Sequence, residues 1–195
     1  SPRTHDSNDE SDGYYGKYVF ADPGVYGSLL LNATTDLTGT VTLRKDALKV
    51  CGGAFLNCAQ PFTLINTDGI FWIGPNGFEK SGIESAAFPS LELVEASAFN
   101  SCTRLTSIDL SEARFLTDIG DSAFAGSGLQ HILFGENYID PETGEYSSTL
   151  EIGFSAFAAT KLEELTIPAY TTSISTELVT DTPLKSVTFL GAVPP

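Results

Sequence analysis

Few residues in this chain are of types that make or break bonds, and their spacing does not bring them together. The candidates are three cysteines, Cys51, Cys58 and Cys102, and two histidines, His5 and His131. A zinc site needs paired Cys or His ligands at short spacings, and these five residues show none. An odd, sparse set of cysteines does not build a disulfide framework either. Two readings stay open: buried free thiols, or a Cys51–Cys58 bridge closing a small loop. No G-x-S-x-G elbow occurs, and His131 has no identifiable nucleophile partner. The neighbours Glu163 and Glu164 would alternate faces on a strand, so they would not converge on one bond. "GPNG", residues 74–77, lacks the Lys and helix that complete a phosphate loop. One stretch comes near a cation site: "DPETGEYSSTLE" puts Asp140, Glu142 and Glu151 at positions 1, 3 and 12 of a calcium loop. Such a loop wants an oxygen ligand at position 5 and Gly at 6, whereas here Gly144 holds 5 and Glu145 holds 6. Calcium is therefore a weak alternative, and no catalytic residue, enzyme activity, cofactor or metal is expected.

The totals narrow the classes further. The 195 residues carry a formal charge of −15, a field that repels a phosphate backbone, so a nucleic-acid partner is not expected. No apolar run is long enough for a transmembrane helix, no signal-peptide pattern opens the chain, and no basic amphipathic stretch suits an anionic membrane surface. The absence of Met points to a processed or truncated product, such as an exported chain whose signal has been removed.

The elements that must position any site come next. Residues 1–16 are polar and acidic and read as a flexible tail. Residues 17–47 read as an N-terminal capping segment of short strands and turns, with "GSLLLNA" (residues 27–33) as a helical stretch. From about residue 48 to 195, internal repetition dominates. Anchor residues fall at Phe55, Phe78, Phe99, Phe124, Phe157 and Val179, separated by 23, 21, 25, 33 and 22 residues. Five places before each anchor stands a branched aliphatic: Val50, Ile73, Val94, Ile119, Ile152 and Ile174. Three places after it stands a small residue with oxygen or sulfur on Cβ: Cys58, Ser81, Cys102, Ser127, Thr160 and Thr182. An apolar triplet follows, as in Leu105-Ile108-Leu110 and Leu129-Ile132-Phe134.

A unit of this length cannot enclose a core alone, so it must stack on its neighbours. The spacing predicts a right-handed solenoid of about six units, each giving a short strand to one parallel sheet. The last two triplet residues point inward, and the anchor Phe fills the interior from the return side. The small residue after each anchor, Ser127 among them, is expected to bond to the backbone at the bend and form a ladder.

These segments, for example "VEASAFNSCTRLTSIDL" and "IGFSAFAATKLEELTIPAY", resemble the BspA-like leucine-rich repeat family, whose pattern is similar to I-G-x-x-A-F-x-x-C-x-x-L-x-x-I-x-I-P. The resemblance implies a leucine-rich-repeat solenoid of the α/β-type repeat class, mostly short strands with loops and short helical turns. It also implies an exported or surface protein, mainly of bacteria, associated with adhesion.

Specificity would then lie in what the repeats leave outside. The outward strand positions are Ser107 and Asp109, His131 and Leu133, Glu164 and Thr166, Ser186 and Thr188, expected to form one continuous, mildly acidic surface. The 33-residue spacing carries an insertion, "GENYIDPETGEYSS" (residues 135–148), with Tyr138 and Tyr146 as anchors for a partner. The expected function is a non-catalytic, secreted or cell-surface binding module that recognises a protein or glycan of a host or neighbouring cell. A lipid anchor upstream of this chain, in a bacterial outer membrane, would hold it there. A structural module contacting sister surface proteins and, less so, a glycan-active accessory domain are the alternatives.

Overall fold

A computed structural model describes residues 14–15, 18–21 and 28–191. The acidic tail expected at residues 1–16 lies outside these, apart from Tyr14 and Tyr15. The described chain winds through seven coils, each with a strand on a back face, a tight turn and a strand on a front face.

The back strands are β3 (Ser28–Ala33), β5 (Ala47–Val50), β7 (Trp72–Ile73), β9 (Leu93–Val94), β11 (Asp118–Ile119), β13 (Leu150–Ile152) and β15 (Thr171–Ile174). They pair in parallel and in that order, so the branched aliphatics lie in register: Leu30, Val50, Ile73, Val94, Ile119, Ile152 and Ile174. The first six are buried, five of them beneath a sheet surface whose alternate residues face out. β1 (Tyr14–Tyr15) and β2 (Tyr18–Ala21) extend this sheet antiparallel at β3, giving nine strands. The front strands are β4 (Gly39–Thr42), β6 (Phe62–Ile65), β8 (Ser85–Ala87), β10 (Ser107–Leu110), β12 (His131–Phe134), β14 (Glu164–Ile167) and β16 (Ser186–Phe189).

Two expectations need correction. The strands do not form one parallel sheet. The return segments make the longest sheet, while the front is divided into β4–β6, β8–β10–β12 and β14–β16. The back strands are shortest in mid-stack, so hydropathy alone marks each by a single aliphatic. The stretch 27–33 is also not helical. Residues 28–33 form β3, with Leu30 buried in register with Val50, because pairing with β5 outweighs the helix propensity of three leucines. Together with β4 this strand builds a coil ahead of the six units read from the repeat.

Between back and front strands the chain makes turns rather than helices, and the cause is a paired conformation that recurs in every unit. Two residues before the anchor, Gly53, Asn76, Ser97, Ser122, Ser155 and Glu177 all have positive φ. Two residues after it, Asn57, Lys80, Ser101, Gly126, Ala159 and Asp181 do as well. Left-handed residues end a right-handed helix. They also split the amide groups into two alternating sets. The N–H groups of Ser97, Phe99 and Ser101 donate to Asp121, Ala123 and Ala125 of the next coil, while those of Ala98, Asn100 and Cys102 donate three residues back within the turn. The turns therefore stack by hydrogen bonds as strands do, and their buried amides are satisfied.

The anchor rings form a spine through the interior. Centroids of Phe55, Phe78, Phe99, Phe124 and Phe157 follow one another at 4.7, 4.9, 5.1 and 5.5 Å, with planes within 13°. Ala54, Gly77, Ala98, Ala123 and Ala156 beside them are small because each carbonyl or side chain abuts the adjoining coil. The side chains three places past the anchor bond in three ways, one being the Ser81 hydroxyl beside the Cys102 thiol of the next coil at 3.5 Å. Cys102 Sγ donates to Phe78 O of the preceding coil at 2.9 Å, and Cys58 Sγ to Thr34 O at 3.4 Å. Thr160 and Thr182 instead turn back to the anchor carbonyl of their own coil, Phe157 O at 2.9 Å and Val179 O at 2.8 Å. Ser127 departs from the expectation. Its buried hydroxyl has no hydrogen-bond partner among the described residues, and the bend is held by its backbone N–H on Phe124 O.

Candidate functional site

The front strands carry the outward residues in two columns fixed by register. Ser85, Ser107 and His131 align across β8, β10 and β12, and Ala87, Asp109 and Leu133 align beside them. Across β14 and β16, Glu164 aligns with Ser186 and Thr166 with Thr188. Burial alternates as the strand period requires: Ile108, Leu110, Leu165 and Ile167 are buried, while the intervening residues reach solvent.

Small side chains at Ser85, Ala86 and Ala87 sink the middle of this face. The result is a depression of about 520 Å³, walled by Thr63, Ser107, Asp109, His131 and Leu133. A second depression of about 500 Å³ opens where β12 and β14 fail to pair, between Gln130 and His131 on one side and Lys161, Glu163, Glu164 and Pro183 on the other. His131 stands on the ridge shared by both. The structure thus brings Ser107, Asp109, His131 and Leu133 together, joins Glu164 to them through the cleft, and leaves Thr166, Ser186 and Thr188 beyond it. Asp109 is held ionised below the usual carboxylate range by the Ser111 hydroxyl and by the Ser111 N–H at 2.9 Å. Lys185 Nζ meets Glu163 at 2.7 Å in an exposed pair that contributes little to stability.

The insertion folds into a small hairpin at the edge of the stack. Asn137 is buried at its base, donating to Ser148 O and Oγ at 3.0 and 2.8 Å and accepting from Ser147 Oγ at 3.0 Å. Ile139 and Tyr146 bridge antiparallel, and the Tyr138 N–H donates to Arg114 O of the preceding coil. The two tyrosines therefore part. Tyr146 leans on the buried ring of Tyr170 at 6.0 Å, whereas Tyr138 faces the exposed ring of Phe115 at 6.0 Å, next to exposed Ile139. Phe115 was not evident from the sequence, because only the fold brings it to the insertion. The hairpin lines a separate depression of about 410 Å³ with Ser111 and Arg114, and none of its residues lines either front depression.

The metal candidates do not converge. Among the described residues no three His, Cys, Asp or Glu side chains form a group able to hold an ion. Asp140 accepts the Glu142 N–H at 2.7 Å within its own turn, and Glu151 lies on β13. The cysteines are all free thiols, so Cys51 and Cys58 are not bridged. Burial pushes Cys102 up to about 11, and burial with the Asp36 charge pushes Cys58 to about 11, from an ordinary 9.0. Burial also raises Cys51, opposed by Lys49. Two consequences are measurable. At pH 8 a thiol-specific reagent should label at most Cys51 in the native protein, with Cys58 and Cys102 reacting only on unfolding. The folded state holds these protons longer than the unfolded chain does. Their contribution to stability is therefore complete below pH 9 and is lost as pH rises from about 9 to about 11, so the thermal midpoint should fall across that window.

A stack of parallel coils is common to several repeat classes, and the residues within the coil separate them. Residues 33–149 and 142–193 match the family described as the BspA type leucine-rich repeat region, in six copies. The chain belongs to the BspA-type leucine-rich repeat family. No curated protein shows a significant sequence match. Solved structures share the fold. The pneumococcal vaccine antigen PcpA aligns with a TM-score of 0.54 at 20% identity, over 88% of this chain and 47% of its own. A leucine-rich cell surface protein from Faecalibacterium prausnitzii A2-165 aligns at 0.52 and 18%, over 91% of this chain and 54% of its own. The chain spans about half the length of each, and at such identities the likeness is one of fold. Among the described residues no helix is long and apolar enough to cross a membrane.

Proposed function

We propose that this BspA-type solenoid is a non-catalytic binding module, secreted or held on a bacterial cell surface, that adheres to a protein or glycan of a host or neighbouring cell. The observation that supports it is the front face. Two adjoining depressions of about 520 and 500 Å³ meet at His131, and outward side chains wall them, with the core residues Leu64, Ala86 and Ile108 flooring the first. In this reading the 135–148 hairpin supplies a second contact through Tyr138, and residues 17–47 cap the solenoid's N-terminal end. An anchor upstream of this chain would tether it to the outer membrane.

Surface plasmon resonance against a panel of extracellular-matrix proteins and glycans tests the proposal. Leu133→Asp places a charge at a residue 56% exposed, so the thermal midpoint should hold. Affinity for any partner found should fall about tenfold or more, as for loss of a central contact. Tyr138→Ala should give a smaller loss. A partner whose affinity ignores both variants contradicts the front-face reading. Capture of sister surface proteins alone would favour an assembly role.

A further inference from the structure

The opposite face of the molecule holds a feature that the front face lacks. The chain's single tryptophan, Trp72, lies half-exposed on the outer side of the back sheet. Register places it between Lys49 of β5 and Leu93 of β9. With Phe71, Glu92 and Thr117 these residues line a depression of about 300 Å³. Every other unit has a different residue at the Trp72 position, namely Lys49, Leu93, Asp118, Glu151 and Ser173, so the repeat does not require tryptophan there.

From this arrangement we infer that the Trp72 depression is a binding site for a neutral saccharide. The indole plane is fixed in advance, because its N–H donates to Glu95 Oε1 at 2.7 Å. A plate already locked loses little freedom when a ligand stacks on it. The rim offers groups of both kinds. Lys49 is a donor, the exposed Glu92 carboxylate is an acceptor with no partner among the described residues, and the Thr117 hydroxyl, which donates to Glu92 O at 3.0 Å, can still accept.

Charge selects among ligands. The Lys49 ammonium stands 5.1 Å from the ring centroids of both Phe71 and Trp72, so it repels a ligand cation, and its flexible stem must swing to the rim for a ring to stack on the indole. Glu92, Glu95 and Asp118, with the overall charge of −15, repel an anion. What remains is an uncharged molecule with a flat apolar face and a belt of hydroxyls, which describes a pyranose ring. The volume lies at the lower end of small-molecule sites, roughly 300 Å³ upward, and suits one or two rings of a chain running on along the sheet. This site is separate from the front face and does not depend on it.

One tryptophan makes the test direct. The whole chain is titrated with maltohexaose, cellohexaose and a β-1,4-linked N-acetylglucosamine hexamer while tryptophan emission is followed. At least one should give a saturable shift with a dissociation constant on the order of 1 mM. Lys49→Ala and Glu92→Gln keep the reporter and the fold, checked by an unchanged thermal midpoint, and each should weaken the response about fivefold. Leu133→Asp, on the front face, should leave it unchanged. Three results would overturn the inference: no saturable response to any of the three saccharides, a response that both back-face variants leave intact, or one that Leu133→Asp abolishes. None of these bears on partner binding at the front face, which the resonance measurement decides separately.

Discussion

Phe99→Ala should lower the unfolding free energy by about 4 kcal/mol, the largest effect expected of any single truncation in the chain. Phe99 is fully buried at the middle of the ring spine. Its ring stacks at 4.9 Å on Phe78 and 5.1 Å on Phe124, both nearly parallel, and Phe88 tilts against it at 6.2 Å. Removing it leaves a cavity between coils and also ends the aromatic contacts, each worth roughly 0.5–1.5 kcal/mol beyond area burial. The neighbours cannot collapse into the space, because hydrogen bonds from Phe99 and Ser101 to Ala123 and Ala125 fix the separation of the turns. In a stacked array the damage should be local, loosening the coils on either side first. Urea unfolding reads the midpoint, and hydrogen exchange should show faster amides around residues 94–127. Phe99→Leu keeps most of the volume and should cost less than half as much. A loss below about 1 kcal/mol for Phe99→Ala would mean that the spine is not the core.

Gly135→Ala is the second expected large effect, and it acts through backbone rather than core. Gly135 directly follows β12, where its N–H bonds to Leu110 O, and begins the insertion. A Cβ there would run into the carbonyl group of Ser111 in the preceding coil, backbone against backbone, so no side chain can swing aside. The φ of Gly135 is not positive, so the obstacle is space alone. The coils must part locally, at a cost of about 2–3 kcal/mol. The hairpin base around Asn137 should loosen with them, which limited proteolysis at residues 138–146 would detect. By contrast, Gly144→Ala meets nothing within 4 Å but has φ of +73°, so it should cost only a modest local strain.

The repeat itself was legible from sequence because core positions recur at fixed offsets from each anchor, and stacking identical coils demands that recurrence. Front-face exposure was legible too, since strand period makes Ser107, Asp109, His131 and Leu133 point away whenever Ile108 and Ile132 point in. The left-handed pairs around each anchor were missed. Their signal was present in Gly53, Asn76, Ser97, Ser122 and Ser155 before the anchors, residue types that tolerate positive φ or bond to their own backbone, but Glu177 in that place and Lys80 and Ala159 two places after an anchor blurred it. The back sheet was hidden because two-residue strands such as β7 and β11 leave no alternation to read. Stretch 27–33 was misread because three consecutive leucines suit helix and strand alike, and only pairing with β5 decides. The site was less legible than the fold. Tyr138 and Phe115 lie 23 residues apart, and Trp72 becomes a platform only through Lys49 and Glu95 on adjoining coils.

Apart from Asp109, which holds the Ser111 turn, the outward front-face side chains carry no structural load and are free for a partner. A protease-resistance scan of every single substitution in residues 105–110, 129–134 and 162–167 tests this most directly. Tolerance should alternate with period two: Ile108, Leu110, Ile132, Leu165 and Ile167 intolerant of polar replacement, and Ser107, His131, Leu133, Glu164 and Thr166 replaceable with changes within about 0.5 kcal/mol, while Asp109, whose carboxylate accepts the Ser111 N–H, should cost more. If replacing His131 and Leu133 destabilises the chain as much as replacing Ile108 and Leu165, the front face is part of the core's support and the claim fails.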